Sequence, residues 1–219
     1  MFDVVAIGAG TAGLVTVAGC AGLGAKAGLI ERDRLGGDCL WTGCVPSKAL
    51  ISSARVAHHF KEASAFGLPS SAPGIDGADV LASVRDVRAQ IAPHDDPERF
   101  RAMGVDVIEG SARFVSPHEV EVGDRRIRAR RFVVATGSLP VMPSVPGLAD
   151  LPCLTEDSVF ELAKRPDRLI VLGDTGAAVE LAQAMRALGS EVALIARGGL
   201  LPEEDTEAVG VLRRALLGG

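Results

Sequence analysis

The chain has 219 residues, 47% of them apolar, and 23 Lys and Arg against 28 Asp and Glu give a formal net charge of −5. That length suits one large domain or two small ones with a sizeable core, and without a basic stripe neither nucleic acid nor an anionic membrane surface is an expected partner. No apolar run approaches the roughly 18–20 residues of a membrane-spanning helix, and Met1-Phe2-Asp3-Val4 has no basic leader pattern, so the expected location is the cytoplasm. Four cysteines are too few for a disulfide scaffold in a reducing compartment, where a close pair points to redox or metal chemistry.

Residues 2–7 form a short apolar run ending at Gly8, which predicts a buried strand. Residues 11–21 predict a helix of small side chains, and 26–31 a second strand closing on an acid, so the chain opens with a βαβ unit. Helical spacing covers 45–60, with Pro46 in its first turn. Residues 67–77 read as a loop, and 78–92 and 96–103 as helices. Short strands follow at 105–109, 112–116, 119–122 and 125–129, the last two flanking the hairpin signal Gly123-Asp124. Another buried strand, 132–135, precedes Thr136-Gly137-Ser138, and Pro140, Pro143 and Pro146 mark a linker. A second βαβ unit then begins, with strand 169–172, helix 173–187 and strand 191–196, followed by the acidic turn Glu203-Glu204-Asp205 and a helix to 217. A parallel sheet of this kind needs further strands and cover on both faces. The expected fold is therefore α/β: a Rossmann-like domain with inserted antiparallel strands over 1–148, then an incomplete second Rossmann-like domain over 149–219.

Gly8-Ala9-Gly10-Thr11-Ala12-Gly13 has the G-x-G-x-x-G spacing of a dinucleotide site. Its first glycine permits the strand-to-helix turn, its second lets backbone approach a pyrophosphate, and its third lets helix and strand pack closely. The following helix offers its N-terminus to the phosphates, and Glu31 stands where a carboxylate accepts a ribose hydroxyl. Cys39 and Cys44 follow in Gly36-Gly37-Asp38-Cys39-Leu40-Trp41-Thr42-Gly43-Cys44-Val45-Pro46-Ser47-Lys48. On one helix this spacing sets the sulfurs about a turn apart, and a thiol at a helix N-terminus is acidified. Cys20 and Cys153 lack partner spacing for a metal and read as small buried hydrophobes, so no metal site is expected. His58, His59, His94 and His118 read as surface residues. Lys48, one turn beyond Cys44, is read either as a solvated lysine or as a buried cation beside a flavin.

Together the fingerprint, Glu31, the Gly-Gly-Asp-Cys…Cys-Val-Pro-Ser-Lys run, Gly110-Ser111-Ala112 and Ala135-Thr136-Gly137-Ser138 closely resemble the pyridine nucleotide–disulfide oxidoreductases, the family of dihydrolipoamide dehydrogenase, glutathione reductase and mercuric reductase. The resemblance runs the length of this chain, which looks like the first half of a member. It implies FAD along the first domain, with Gly8, Gly10 and Gly13 at the pyrophosphate, Glu31 at the adenosine ribose, Ala112 at adenine, Lys48 by the isoalloxazine, and Gly37, Asp38, Thr136, Gly137 and Ser138 lining the site. Cys39 would be the thiol that meets substrate and Cys44 the one facing the flavin. Electrons would pass from NADP or NAD through FAD to the Cys39–Cys44 disulfide, and on to a small-molecule disulfide or a metal ion. Nothing in the sequence supports mercury specifically.

Gly173-Asp174-Thr175-Gly176-Ala177-Ala178 resembles the family's nicotinamide-nucleotide motif, with Glu180 two residues on. Thr175 replaces the middle glycine, and its Cβ obstructs a pyrophosphate. Ala196-Arg197 after the next strand suits a 2′-phosphate, which favours NADPH. Full-length members are homodimers with a C-terminal His–Glu acid–base pair, which finds no match here; this chain alone is compatible with a monomer. Two other readings stand beside the enzyme: a truncated flavin-binding module without turnover, and a dithiol redox sensor without flavin.

Overall fold

A computed structural model describes residues 1–70 and 74–218. Part of the expected 67–77 loop therefore lies outside the described residues. In chain order the elements are β1 (Phe2–Ile7), α1 (Thr11–Gly22), β2 (Ala27–Glu31), α2 (Gly37–Trp41), α3 (Cys44–Glu62), α4 (Gly77–Ile91), α5 (Pro97–Ala102), β3 (Asp106–Glu109), β4 (Ala112–Ser116), β5 (Glu119–Val122) and β6 (Arg125–Val134). They continue with α6 (Glu156–Val159), β7 (Arg168–Leu172), α7 (Gly176–Ala187), β8 (Glu191–Ile195) and α8 (Thr206–Gly218). The chain is mixed α/β and divides into two compact units, one of Met1–Pro46 with Asp86–Phe160 and one of Ser47–Arg85 with Glu161–Gly219.

The first unit is built on a six-stranded sheet in the order β3-β2-β1-β6-β5-β4. β1 pairs in parallel with β2 and with β6, and β2 in parallel with β3. β4, β5 and β6 form antiparallel hairpins, the β5–β6 turn falling at Gly123-Asp124 with Gly123 at φ +55°. Apolar side chains alternate to two faces, as strand geometry requires. Ala6, Leu29 and Val107 pack with Leu14 and Val17 of α1 and Phe100 of α5. Val5, Ile30 and Ile108 pack on the opposite face with Val120, Val122 and Ile127.

The separate strands expected at 125–129 and 132–135 are one ten-residue strand. The N-terminal part of β6 pairs antiparallel with β5 (Val122↔Arg125 to Glu119↔Arg128), and its C-terminal part runs parallel to β1 (Phe2↔Ala129 to Ile7↔Val134). Arg130 and Arg131 interrupt the apolar pattern on a continuous backbone, and Arg130 Nη1 lies 3.4 Å from Asp3 Oδ1. The strand therefore reads as two pieces although its hydrogen bonding does not stop.

In the second unit β7 and β8 pair in parallel from Arg168↔Glu191 to Leu172↔Ile195. α7 buries Val179, Ala182, Ala184 and Met185. Arg165 donates to Ser190 Oγ at 3.1 Å, and that hydroxyl donates to the Pro166 carbonyl at 2.7 Å, tying the entry of β7 to the entry of β8.

Candidate active site: a glycine turn and a thiol pair

The turn between β1 and α1 closes where the spacing placed it. Gly8 has φ +103°, and a Cβ there would overlap the Ala135 carbonyl. A Cβ on Gly13 would overlap the Gly8 carbonyl. These contacts are why only glycine fits both positions. α1 has Gly10 at its N-cap and no side-chain capping bond, so its first N–H groups are left to a ligand.

Glu31 closes β2 with its carboxylate turned into the same turn. Oε2 accepts from the Ala9 N–H at 2.6 Å, and Oε1 from the Arg32 and Asp33 N–H groups at 2.8 and 3.0 Å. The acid thus orders the glycine turn, a task that spacing alone did not reveal. Glu31→Ala is expected to cost about 2 kcal/mol, the scale of charge-assisted hydrogen bonds. Glu31→Gln, which keeps an acceptor oxygen, should recover part of that in urea melts.

Two further stretches of this unit meet at the turn. Gly36 donates its N–H to the Ala9 carbonyl at 2.9 Å. Gly37, at φ +55°, approaches Gly10 so closely that a Cβ on it would lie 2.5 Å from the Gly10 Cα. Asp38 Oδ2 stands 3.7 Å from the position of a Cβ on Gly137, so Asp38 and the segment after β6 share one wall. Thr136, Gly137 and Ser138 are exposed there. Ala112 starts β4 opposite Val122. A surface groove lined by Met1, Asp3, His118, Arg128, Ala129, Arg130 and Arg131 lies at the start of β1, the far end of that strand from Gly8. Ligands of open α/β sheets bind at strand C-termini, so that groove is not the site.

Cys39 and Cys44 do not share a helix. Cys39 lies in α2 and Cys44 opens α3, with Thr42 and Gly43 between. The Thr42 and Gly43 N–H groups both donate to the Asp38 carbonyl, at 3.0 and 2.5 Å, closing α2. A Cβ on Gly43 would lie 3.0 Å from that carbonyl oxygen and 3.8 Å from the Cys39 Cα, so the break is tightest next to the first thiol. Both cysteines are unbridged thiols in this structure and are joined by a side-chain hydrogen bond.

The Cys39 thiol, which lies in α2 and not at the start of α3, holds its proton more tightly than an ordinary cysteine. The hydrogen bond to Cys44 is the main cause holding its pKa up, burial adds to it, and the charges of Cys44 and Asp95 act in the same direction, while the Thr11 hydroxyl opposes them. The folded chain therefore keeps this proton more tightly than the unfolded one. That stability is present below the ordinary thiol pKa and is lost as pH rises through the raised folded value. In the dithiol form, alkylation of Cys39 by iodoacetamide at pH 8 should be slow. In Cys44→Ser it should be several-fold faster, read by peptide mass spectrometry.

In the second unit, Lys48 Nζ lies 3.0 Å from Glu180 Oε2. The lysine is not a buried cation: its side chain is 63% exposed and that of Glu180 46%. Sequence reading had not paired these residues, which are 132 positions apart. Thr175 is the N-cap of α7, and its hydroxyl accepts from the Ala178 N–H at 3.4 Å. The residue in the middle-glycine position therefore occupies the helix N-terminus itself. Gly173 stands at the end of β7, with a would-be Cβ 3.0 Å from that of Ala178, and Arg197 is exposed beyond β8.

Cys153 is exposed, its thiol donating to the Leu148 carbonyl at 3.6 Å, which corrects the expectation of a buried hydrophobe. Cys20 is half-buried against the core of the first unit. Among the described residues no group of three or more His, Cys, Asp or Glu could hold a metal ion, and no helix is long and apolar enough to cross a membrane.

The family model described as pyridine nucleotide-disulphide oxidoreductase matches residues 2–217. The chain belongs to this family of oxidoreductases, whose members use FAD and pyridine nucleotides. It is 36% identical over 216 residues to a mercuric reductase of Bacillus cereus, covering 98% of this chain and 34% of that protein. It is 32% identical to a glutathione reductase of Nostoc, covering 90% and 42% of the two chains. It is 33% identical to chloroplastic dihydrolipoyl dehydrogenase 2 of Arabidopsis thaliana, covering 99% and 39%. Among solved structures it matches the HOCl-induced flavoprotein disulfide reductase RclA from Escherichia coli with a TM-score of 0.82 and 25% identity, covering 99% of this chain and 47% of that one. The chain thus spans less than half the length of these relatives.

Proposed function

We propose that this chain carries the FAD-binding and dithiol-bearing part of an NAD(P)H-dependent disulfide oxidoreductase, with a small-molecule disulfide or a metal ion as electron acceptor. The observation that carries the reading is a hydrogen-bonded thiol pair whose flanking glycines, Gly36 and Gly37, pack onto the dinucleotide turn. The glycine cradle and the uncapped start of α1 suit a pyrophosphate.

Gly8, Gly10 and Gly13 would hold that group, with Glu31 at the adenosine ribose. Gly37, Asp38, Ala112, Thr136, Gly137 and Ser138 would line the remainder. FAD, when bound, supplies a two-electron relay between a nicotinamide and a disulfide. Cys44, exposed at the start of α3, is assigned to the flavin side of the relay and Cys39 to the substrate. Cys39 keeps its proton until a base takes it, because its thiol is held protonated. Lys48 is the cation assigned to negative charge on the reduced ring. Gly173, Ala178, Glu180 and Arg197 would serve the nicotinamide nucleotide, and Arg197 suits a 2′-phosphate.

The test is retention of FAD through gel filtration, followed by anaerobic titration. Uptake of two two-electron equivalents per bound FAD, with bleaching by NADPH, supports the reading. A colourless chain overturns it. Bound FAD that NADPH leaves oxidised would favour a flavin-binding module without turnover.

A further inference from the structure

Trp41 is the only tryptophan in the chain and lies between the two cysteines in sequence. Three residues hold it, all inside the first unit. The Arg34 guanidinium stacks over its ring at 3.8 Å from the centroid, and that of Arg88 lies 5.5 Å from it. Arg88 is 8% exposed and donates to the Trp41 carbonyl at 3.0 Å. The indole Nε1–H donates to the Leu35 carbonyl at 2.8 Å, linking the residue before Gly36 to the end of α2.

Trp41 is the last residue of α2, and only Thr42 and Gly43 separate it from Cys44. Whatever fixes the backbone of Trp41 therefore fixes the start of the break that brings the thiols together. An aromatic ring under two guanidinium groups is a strong anchor, since cation–π attraction grows with desolvation.

We propose that Trp41, held by Arg34 and Arg88, is a positioning residue that holds the α2–α3 break and so sets how readily Cys39 and Cys44 close into a disulfide. The inference rests on the thiol pair being the redox couple of the proposed function. Closure removes two protons and two electrons from the pair as the S–S bond forms, and a disulfide oxidant such as glutathione disulfide is cleaved to two thiols in exchange. Its equilibrium constant measures the effective concentration of one thiol at the other, which falls when either is free to drift.

The experiment equilibrates the full chain in glutathione redox buffers, quenches with acid, and counts Cys39–Cys44 disulfide by peptide mass spectrometry. Trp41→Leu is expected to lower the constant at least ~10-fold, equivalent to a couple about 30 mV less reducing. Trp41→Phe keeps a ring for the guanidinium groups and should stay within about threefold of the parent, a small loss in line with the reduced cation–π strength of phenylalanine. Arg34→Gln, at an exposed position that does not endanger folding, should lower the constant about threefold, the scale of an exposed cation–π contact. Unchanged far-UV circular dichroism would separate positioning from general loss of structure. Constants for Trp41→Leu and Arg34→Gln that both match the parent would overturn the positioning role alone. A parent chain that forms no Cys39–Cys44 bond would overturn this role together with the dithiol half of the proposed function, whereas the FAD titration fails or succeeds independently of Trp41.

Discussion

Gly8→Ala should destabilise the first unit by about 3–5 kcal/mol and abolish FAD retention. Two costs add. The backbone at Gly8 sits at φ +103°, a conformation that costs an L side chain roughly 1–3 kcal/mol. The new methyl group would also overlap the Ala135 carbonyl and come within 3.1 Å of the Thr136 Cα. Neither obstacle can retreat cheaply. Gly8 donates to the Ile30 carbonyl and Ala135 to the Ile7 carbonyl, both at 2.8 Å, so relief of the clash breaks parallel-strand bonds on one side or the other. Gly19 in α1 is the internal control. A Cβ there meets nothing within 4 Å, and alanine should stabilise the helix by about 0.5–1 kcal/mol. Urea melts of the two variants should move in opposite directions. A Gly8→Ala midpoint equal to that of the parent would remove the steric account of the turn.

Cys44→Ser should halve the electrons the flavin-loaded chain takes up and lower reduction of any disulfide substrate by at least ~10³-fold. The count is stoichiometric in the proposed relay: FAD would accept two electrons and a Cys39–Cys44 disulfide two more, so the variant would keep only the first pair. FAD retention should be unaffected, because the glycine cradle, Glu31 and the start of α1 do not involve the Cys44 side chain. That combination, full binding with half the capacity, distinguishes a dithiol relay from a flavoprotein in which the cysteines are bystanders. A variant that still consumes two equivalents would assign the second pair of electrons elsewhere. The same substitution removes the principal cause of the raised Cys39 pKa. Faster alkylation of Cys39 in that variant would report the same juxtaposition without cofactor.

Much of this architecture can be read from neighbours in sequence. The glycine spacing at 8–13, the small-residue helix behind it and the acid closing β2 are local patterns. Each constrains backbone within a few residues, so strand, turn and helix emerge in the expected places. The hairpin at Gly123-Asp124 is legible for the same reason: two residues carry the geometry of the whole turn. The thiol pair is legible as a motif and so is the helix after it, but α2 and the break at Thr42-Gly43 are not, because that break depends on the Asp38 carbonyl accepting two N–H groups at once.

What tertiary structure alone decided are the encounters between distant segments. β6 is one strand because β5 and β1 offer it successive edges, a fact absent from its own Arg-rich pattern. Arg88 reaches Trp41 across 47 positions, and Lys48 meets Glu180 across 132. Glu31 spends its carboxylate on the Ala9 N–H, 22 residues upstream. Hydrophobic period and turn chemistry are properties of a short window of chain. The partner of a charged side chain is settled by the path of the whole backbone, so the sequence determined the cradle and the two sulfurs, and folding determined what grips them.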